Sequence, residues 1–133
     1  MTPNLQLTSV TIGCPNPREL VQFYARLLDA EITAIEQPRE GEPENAGWAQ
    51  FRTTGDRGTI TLNFEFERQW RAPIWPSEPE RQHITQHLDI HVDDLDGAVA
   101  WAVECGARQA KSQPQETVRV MIDPVGHPFC LFT

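Results

Sequence analysis

The sequence predicts an α+β fold made of two consecutive βαβββ modules. The first observation is internal repetition: residues 9–23 and residues 87–101 share the order strand, turn, amphipathic helix, although few residues are identical. The second is that each helix is followed by three short segments typical of strands. With 133 residues the chain is long enough for one domain with a real core and too short for two ordinary ones. We therefore expect a single domain over residues 1–133.

The first module is predicted over residues 1–67. In its first strand Val10 and Ile12 alternate with small or polar residues, which gives the strand one apolar face. Asn16 is a favourable helix cap, and Pro17 suits the first helical position. The helix has one apolar stripe, formed by Leu20, Phe23, Tyr24, Leu27 and Leu28. Three strands are expected at residues 31–36, 48–53 and 59–66, with loops at residues 38–47 and 54–58.

The second module is predicted over residues 85–133. Its first strand alternates the apolar residues Leu88, Ile90 and Val92 with the polar residues His87, Asp89 and His91. Asp93 or Asp94 caps a helix that ends before Gly106, and the apolar stripe of that helix consists of Leu95, Val99, Ala102 and Val103. Three strands are expected at residues 108–111, 118–122 and 128–132. In the last strand, alternation places Cys130 on the face opposite Phe129 and Leu131.

Charge and composition restrict the classes of partner and location. The formal net charge of −8, with 19 acidic and 11 basic residues and no basic cluster, disfavours nucleic acid. No apolar run approaches the length of a membrane span, and the N-terminal residues lack the features of a signal peptide. The three cysteines, Cys14, Cys105 and Cys130, are an odd number without a close pair, which suits a reducing compartment. We expect a cytoplasmic protein without a nucleic-acid or membrane partner.

The segment between the modules, residues 68–84, is the longest irregular stretch. It carries Trp70 and Trp75 among several prolines. One interpretation is a surface loop anchored by two aromatic side chains, and the other is a lid or wall of an apolar pocket. The sequence leaves both interpretations open.

Several motifs in the expected order identify a resemblance. The duplicated units, the stretch HLDIHVDDLDGAVAWAVECGA and the closing stretch DPVGHPFCLF resemble the vicinal oxygen chelate superfamily, also called the glyoxalase, bleomycin-resistance and extradiol-dioxygenase superfamily. The segment RAPIWP, residues 71–76, is similar to a loop of glyoxalase-like proteins. The resemblance implies cup-shaped, half-open mixed sheets around a central cavity. Many relatives are dimers, so it also implies a homodimer.

The resemblance implies a set of inward-facing side chains. Metal-using relatives place His or Glu on the first and last strand of each module, and the matching positions here are Ser9, Glu65, His87 and Cys130. A register slip would replace Glu65 with Asn63. Glu65, His87 and Cys130 are therefore the candidate metal ligands and candidate catalytic residues, for zinc or another divalent ion. In a second hypothesis Cys130 is a nucleophile and His87 its base.

Other polar and aromatic residues are candidates for binding an organic ligand. The polar candidates are Ser9, Thr11, Asn63 and Asp89, and the aromatic candidates are Trp48, Trp70 and Trp75. Because the metal-ligand set is depleted, the main hypothesis is a dimeric protein that binds a small organic molecule, with reduced or lost metal chemistry. One alternative is a metal-dependent lyase of the glyoxalase type, or a dioxygenase, that uses His87 and Glu65. The other is a dimeric scaffold without a ligand.

Overall fold

The predicted α+β fold is confirmed in a computed structural model that describes all 133 residues. The chain divides into unit 1, Met1–Arg68, and unit 2, Gln69–Thr133, and each unit contains one βαβββ module. Each module builds a four-stranded mixed sheet in which the first strand lies at one edge, parallel to the last strand. Neither helix is long and apolar enough to cross a membrane.

Unit 1 contains β1 (Ser9–Cys14), α1 (Pro17–Leu27), β2 (Ile32–Glu36), β3 (Trp48–Gly55) and β4 (Gly58–Phe66). The strand order is β1-β4-β3-β2, and the helix packs on the sheet. Asn16 caps α1, since its side-chain oxygen accepts the backbone N–H of Glu19 at 3.3 Å. The core contains stacked rings: those of Tyr24 and Phe64 lie 5.7 Å apart, and those of Phe51 and Phe64 lie 5.9 Å apart. The apolar stripe predicted for α1 thus packs with rings from β3 and β4 in one core.

Unit 2 contains β5 (Asp89–His91), α2 (Leu95–Cys105), β6 (Arg108–Gln109), β7 (Val118–Ile122) and β8 (Pro128–Phe132). The strand order is β5-β8-β7-β6. Of the two predicted caps, Asp94 is the one that accepts the backbone N–H of Gly97, at 3.1 Å. Gly106 ends the helix with a φ of +123°, a conformation that glycine adopts without strain. Strands β5 and β6 are shorter than predicted, because only these residues keep ladder pairing with β8 and β7.

The predicted apolar stripe of α2 is partly wrong. Ala102 is fully buried, whereas Val103 is 50% exposed. The helix sequence LDGAVAWAVEC is apolar on nearly every side, so its pattern does not select one face for burial. Helix α1 carries charged residues between its apolar ones, and three members of its predicted stripe are buried, Leu20, Phe23 and Tyr24. Leu27 and Leu28 are half-buried, and Val21 and Ala25 are buried as well.

The two faces of the unit 2 sheet pack against different parts of the chain. Met121, Phe129 and Leu131 are buried on the face against which α2 packs. On the opposite face, Ala110, Val120 and Ile122 form a second buried cluster, with Trp75 and Cys130 packed against it. We call this second side the pocket face. Because side chains alternate along β8, Cys130 lies on the pocket face, opposite Phe129 and Leu131.

A tight turn at residues 123–127 joins β7 to β8. Oδ1 of the buried Asp123 accepts the backbone N–H groups of Val125, Gly126 and His127 at 3.0, 2.9 and 3.0 Å. Its Oδ2 accepts from Nδ1 of His127 at 2.6 Å. The His127 ring lies against Trp70, with centroids 4.7 Å apart. This network fixes where β8 begins, and hence the position of Cys130.

Candidate functional site in unit 2

Three side chains of different chemistry meet on the pocket face at the edge of the sheet. In the parallel register of β5 and β8, Asp89 is the direct partner of Cys130. The backbone N–H of Cys130 donates to the carbonyl of Leu88 at 2.9 Å, which continues the pairing toward His87. Because side chains alternate along an extended segment, His87 and Asp89 share a face. One nitrogen, one oxygen and one sulfur atom of His87, Asp89 and Cys130 lie within 4.8 Å of one another.

A pocket of about 460 Å³ contains these three side chains. This volume falls within the range of about 300–1,000 Å³ that is typical of small-molecule sites. Trp75, Val120 and Phe132 contribute apolar wall, and His87, Asp89 and Cys130 form a polar end. The remaining lining residues are Ile84, Pro114, Gln115, Thr117, Val118, Pro128 and Thr133. The pocket therefore combines an apolar wall with a few convergent polar groups.

The environment of Cys130 favours the neutral thiol. Burial raises the pKa of the Cys130 thiol, and the negative charge of Asp89 and a hydrogen bond to its carboxylate raise it further. Nε2 of His87 lies 3.0 Å from Oδ1 of Asp89, so the imidazole is engaged with the carboxylate. A nucleophilic cysteine requires a lowered pKa. The hypothesis that Cys130 is a nucleophile activated by His87 therefore gains no support from the structure.

The donor atoms fit a cation that accepts mixed ligands. Imidazole nitrogen, carboxylate oxygen and thiolate sulfur are the three ligand types that zinc uses in proteins. Manganese and magnesium prefer oxygen-rich, octahedral surroundings, which a thiolate does not provide. The side chains of His87 and Asp89 are 40% and 58% exposed, so an ion from solvent can reach them. The set is therefore suited to zinc better than to a hard divalent ion.

The predicted site residues of the first module all lie in unit 1. Ser9 pairs with Thr61 at the start of β1, and Trp48 pairs with Glu65, which is exposed near the end of β4. The cluster of donor atoms in unit 2 contains His87 and Cys130 from the predicted set but neither Ser9 nor Glu65.

The polar candidates of unit 1 bond to one another. Nδ2 of Asn63 donates to Oγ1 of Thr11 at 3.3 Å, and Nε2 of Gln50 donates to Oδ1 of Asn63 at 2.9 Å. Oγ1 of Thr33 donates to the Gln50 backbone carbonyl at 3.1 Å. The four side chains thus form a ladder across all four strands of the unit 1 sheet. Both amide groups of Asn63 are thus engaged within the sheet, and the Thr11 hydroxyl accepts from one of them.

The two tryptophans of residues 68–84 have different surroundings. Trp75 packs on the cluster of Ala110, Val120 and Ile122 and lines the pocket. Trp70 lies against His127 instead, at the turn before β8. The interpretation as a pocket wall therefore describes Trp75, and the interpretation as a surface anchor describes Trp70.

Sequence reasoning missed two features of this site. Asp89 was expected to bind an organic ligand and was not considered with the metal donors, although the spacing His-x-Asp on one strand face is a readable signal. The wall formed by residues 114–117 was not predicted. It is held by Gln113, whose Nε2 donates to the carbonyls of Ala110 and Val120, both at 2.9 Å, and whose Oε1 accepts the N–H of Val120 at 2.8 Å. Nothing in the sequence pattern around Gln113 indicates this arrangement.

Comparison with known proteins gives one family match. The family model of the glyoxalase-like domain matches residues 9–132. No curated protein sequence matches significantly.

Several solved structures share the fold. A glyoxalase family protein from Enterococcus faecalis has a TM-score of 0.66 at 20% identity, covering 96% of this chain and 97% of the other. A mutant of the fosfomycin resistance protein FosX from Listeria monocytogenes, complexed with Mn(II) and 1S,2S-dihydroxypropylphosphonic acid, has a TM-score of 0.68 at 12% identity, covering 96% and 90%. A glyoxylase/bleomycin resistance protein/dioxygenase domain from Frankia sp. EAN1pec has a TM-score of 0.60 at 15% identity, covering 98% and 92%.

Proposed function

The chain belongs to the glyoxalase-like domain family, as its motifs predict, and we propose that it binds a small organic molecule in the pocket of unit 2. The observation that carries this proposal is the combination of an apolar wall with a polar end in one pocket of about 460 Å³. Apolar surface supplies affinity in such sites, and a few polar groups fix orientation. His87 and Asp89 are the orienting groups, since they are exposed and hydrogen-bonded to each other.

The wall suggests the shape of the ligand. Trp75 and Phe132 both line the pocket, and aromatic rings offer flat surfaces on which a planar or partly aromatic molecule can pack. The polar end carries a carboxylate, an imidazole and a neutral thiol, which together favour a ligand with hydrogen-bond donors. We therefore expect a planar or amphipathic molecule with a hydroxyl or amino group. Its polar group points toward Asp89.

A thermal-shift screen tests this proposal. Small aromatic alcohols, amines and acids are added to the protein, and a compound at 100 times its Kd should stabilise the folded state by about 2.7 kcal/mol. Trp75→Ala should abolish the shift, because it removes the pocket wall. Trp101→Ala is the matched control, since Trp101 is 40% exposed on α2 and does not line the pocket. The proposal fails if no compound stabilises the protein, or if both variants retain the same shift.

A second candidate function is a metal-dependent enzyme, either a glyoxalase-type lyase or a dioxygenase. It is favoured by the donor cluster in unit 2 and by the Mn(II) present in the FosX structure. His87 and Cys130 of that cluster would be ligands. A bound divalent ion polarises a substrate oxygen or lowers the pKa of a bound water. Stoichiometric metal in protein purified without a histidine tag, lost in His87→Ala, would support this function.

The proposal extends to assembly and location. The three free cysteines are consistent with a reducing, cytoplasmic environment. Val10 and Ile60 are 39% and 55% exposed on strands of unit 1, and such apolar residues suit a contact between two copies. We therefore propose a homodimer located in the cytoplasm. Light scattering of the purified chain tests the dimer. A monomeric mass at micromolar concentration would contradict the dimer and leave the pocket proposal unaffected.

A further inference from the structure

We propose that unit 2 alone provides a three-ligand site for a zinc ion, with His87, Asp89 and Cys130 as the ligands. This goes beyond the proposed binding of an organic molecule. It also differs from the ligand set that the family resemblance implies, because Asp89 takes the third place and no residue of unit 1 is required.

The first argument is the way in which the fold presents the ligands. Asp89 and Cys130 are direct partners in the parallel ladder. His87 lies two residues before Asp89, on the same face. In a tetrahedral zinc site, metal–ligand bonds of about 2.0–2.3 Å place neighbouring ligand atoms about 3.3–3.8 Å apart. Here Nε2 of His87 and Oδ1 of Asp89 are 3.0 Å apart, and all three ligand atoms lie within 4.8 Å of one another. The three donor atoms thus lie about as close together as the ligand atoms of a single ion.

The second argument is the chemistry of the three donors. The sulfur of Cys130 is a soft ligand, and thiolates select zinc over manganese and magnesium. The two anionic donors would balance the double charge of the ion. A bound cation stabilises a thiolate directly, so the carboxylate of Asp89 and a thiolate of Cys130 can coordinate the same ion.

The third argument is the open side of the cluster. Three protein ligands leave one tetrahedral position free, which distinguishes open zinc sites from closed structural ones. All three side chains line the pocket, so an ion held by them would lie at the polar end, in the same pocket as Trp75 and Phe132. A water molecule or an oxygen of the organic ligand can occupy the free position. The zinc site and the proposed pocket thus share one polar end.

The test begins with the metal alone. Metal-stripped, untagged protein is dialysed against equal concentrations of Zn(II) and Mn(II), and bound metal is measured by elemental analysis. We expect about one zinc per chain and little manganese. Co(II) then replaces zinc in the native chain, where a tetrahedral site with one thiolate gives a sulfur-to-cobalt charge-transfer band and intense visible bands. Binding of manganese in preference to zinc, or absence of the charge-transfer band, overturns the proposal.

Matched variants identify the ligands. Asp89→Asn and Cys130→Ser should each weaken zinc binding by at least about 100-fold, since even changes outside the first ligand shell cost about 10–100-fold. Glu65→Gln should leave zinc affinity unchanged, because Glu65 lies outside the cluster. His91→Gln is a second control: His91 is on the same face as His87 but about 13 Å along the strand, and its ring packs on Phe132.

The outcomes distinguish this proposal from the others. Loss of zinc in Glu65→Gln equal to that in Asp89→Asn contradicts a site formed by unit 2 alone. Circular dichroism of each metal-free variant shows whether it is folded, and the cobalt spectrum of the native chain decides the thiolate ligand without any variant. If the protein binds organic compounds but no zinc, only the proposal of a zinc site is wrong. If it binds zinc but no organic compound, only the proposed function is wrong.

Discussion

Replacing Asp123 with alanine should remove the anchor of the turn that leads into β8. The side chain is fully buried, and its two oxygens accept from the backbone of Val125, Gly126 and His127 and from the His127 ring. Alanine leaves these donors without their acceptor and opens the space that the carboxylate fills. The start of β8, and with it Cys130, then loses its fixed position. The free energy of unfolding should fall, and Cys130 should shift relative to the other residues of the polar end.

The expected size of this effect follows from the bonds. A hydrogen bond to a charged acceptor contributes about 1.5–3 kcal/mol, but the donors of Asp123 do not add independently. Val125, Gly126 and His127 are only half-buried, so water recovers part of the loss. A buried donor left without its partner costs about 1–3 kcal/mol, and we expect Asp123→Ala, which removes the acceptor of four donors, to cost about 4 kcal/mol in total. That is a large share of the total stability of a domain, which is about 5–15 kcal/mol.

Urea unfolding followed by tryptophan fluorescence measures this loss. Asp123→Asn keeps an oxygen for the backbone donors and loses the charge, so it should cost about 2 kcal/mol. Asp93→Ala removes an exposed carboxylate and should change stability by less than about 0.5 kcal/mol. If Asp123→Ala costs less than about 1 kcal/mol, the turn is held by other contacts and the reasoning is refuted.

Three further predictions concern both units. Gly126→Ala should cost about 2 kcal/mol in urea unfolding, because Gly126 has a φ of +114° and an added Cβ would lie 2.8 Å from another side-chain carbon. Gly55→Ala, where nothing lies within 4 Å, should cost much less, and equal losses would contradict this account. Asn63→Ala should cost about 1 kcal/mol in the same assay without altering ligand-induced thermal shifts, since Asn63 bonds to its neighbours in the sheet. In the metal-free protein, Cys130 should react with iodoacetamide more slowly at pH 8 than a free thiol, because its raised pKa leaves less thiolate at that pH. Asp89→Asn should speed that reaction, as measured by peptide mass spectrometry, and an unchanged rate would show that burial alone controls the thiol.

The sequence predicts the fold well because local signals and long-range pairing agree. In α1, capping by Asn16 and a single apolar stripe determine both the start of the helix and the face that is buried. In β8, alternation alone determines that Cys130 lies on the face opposite Phe129 and Leu131. Prediction was weaker for α2, since Val103 lies in a helix that is apolar almost all round. Burial there depends on tertiary packing, which local periodicity does not contain.

The candidate site is harder to predict, because it depends on register between strands distant in sequence. The alternation His87, Asp89 is visible in the sequence, but the pairing of Asp89 with Cys130 joins residues 41 positions apart. The family resemblance implies Glu65 as a ligand, but Glu65 is exposed on β4 and absent from the donor cluster. The wall at residues 114–117 depends on the amide of Gln113, a contact without a sequence pattern.

The parallel register also explains why a cysteine suits position 130. Glutamate is one of the two residue types that the resemblance implies at this position, and it would place a second negative charge directly beside Asp89. Like charges on directly paired residues are destabilising, and one of them would have to take up a proton. A thiol avoids this conflict, because the metal-free protein keeps Cys130 neutral through its raised pKa. A cation at the same place reverses the preference and makes the thiolate a ligand. The pair Asp89 and Cys130 is thus compatible both with a stable metal-free sheet and with a site that binds zinc.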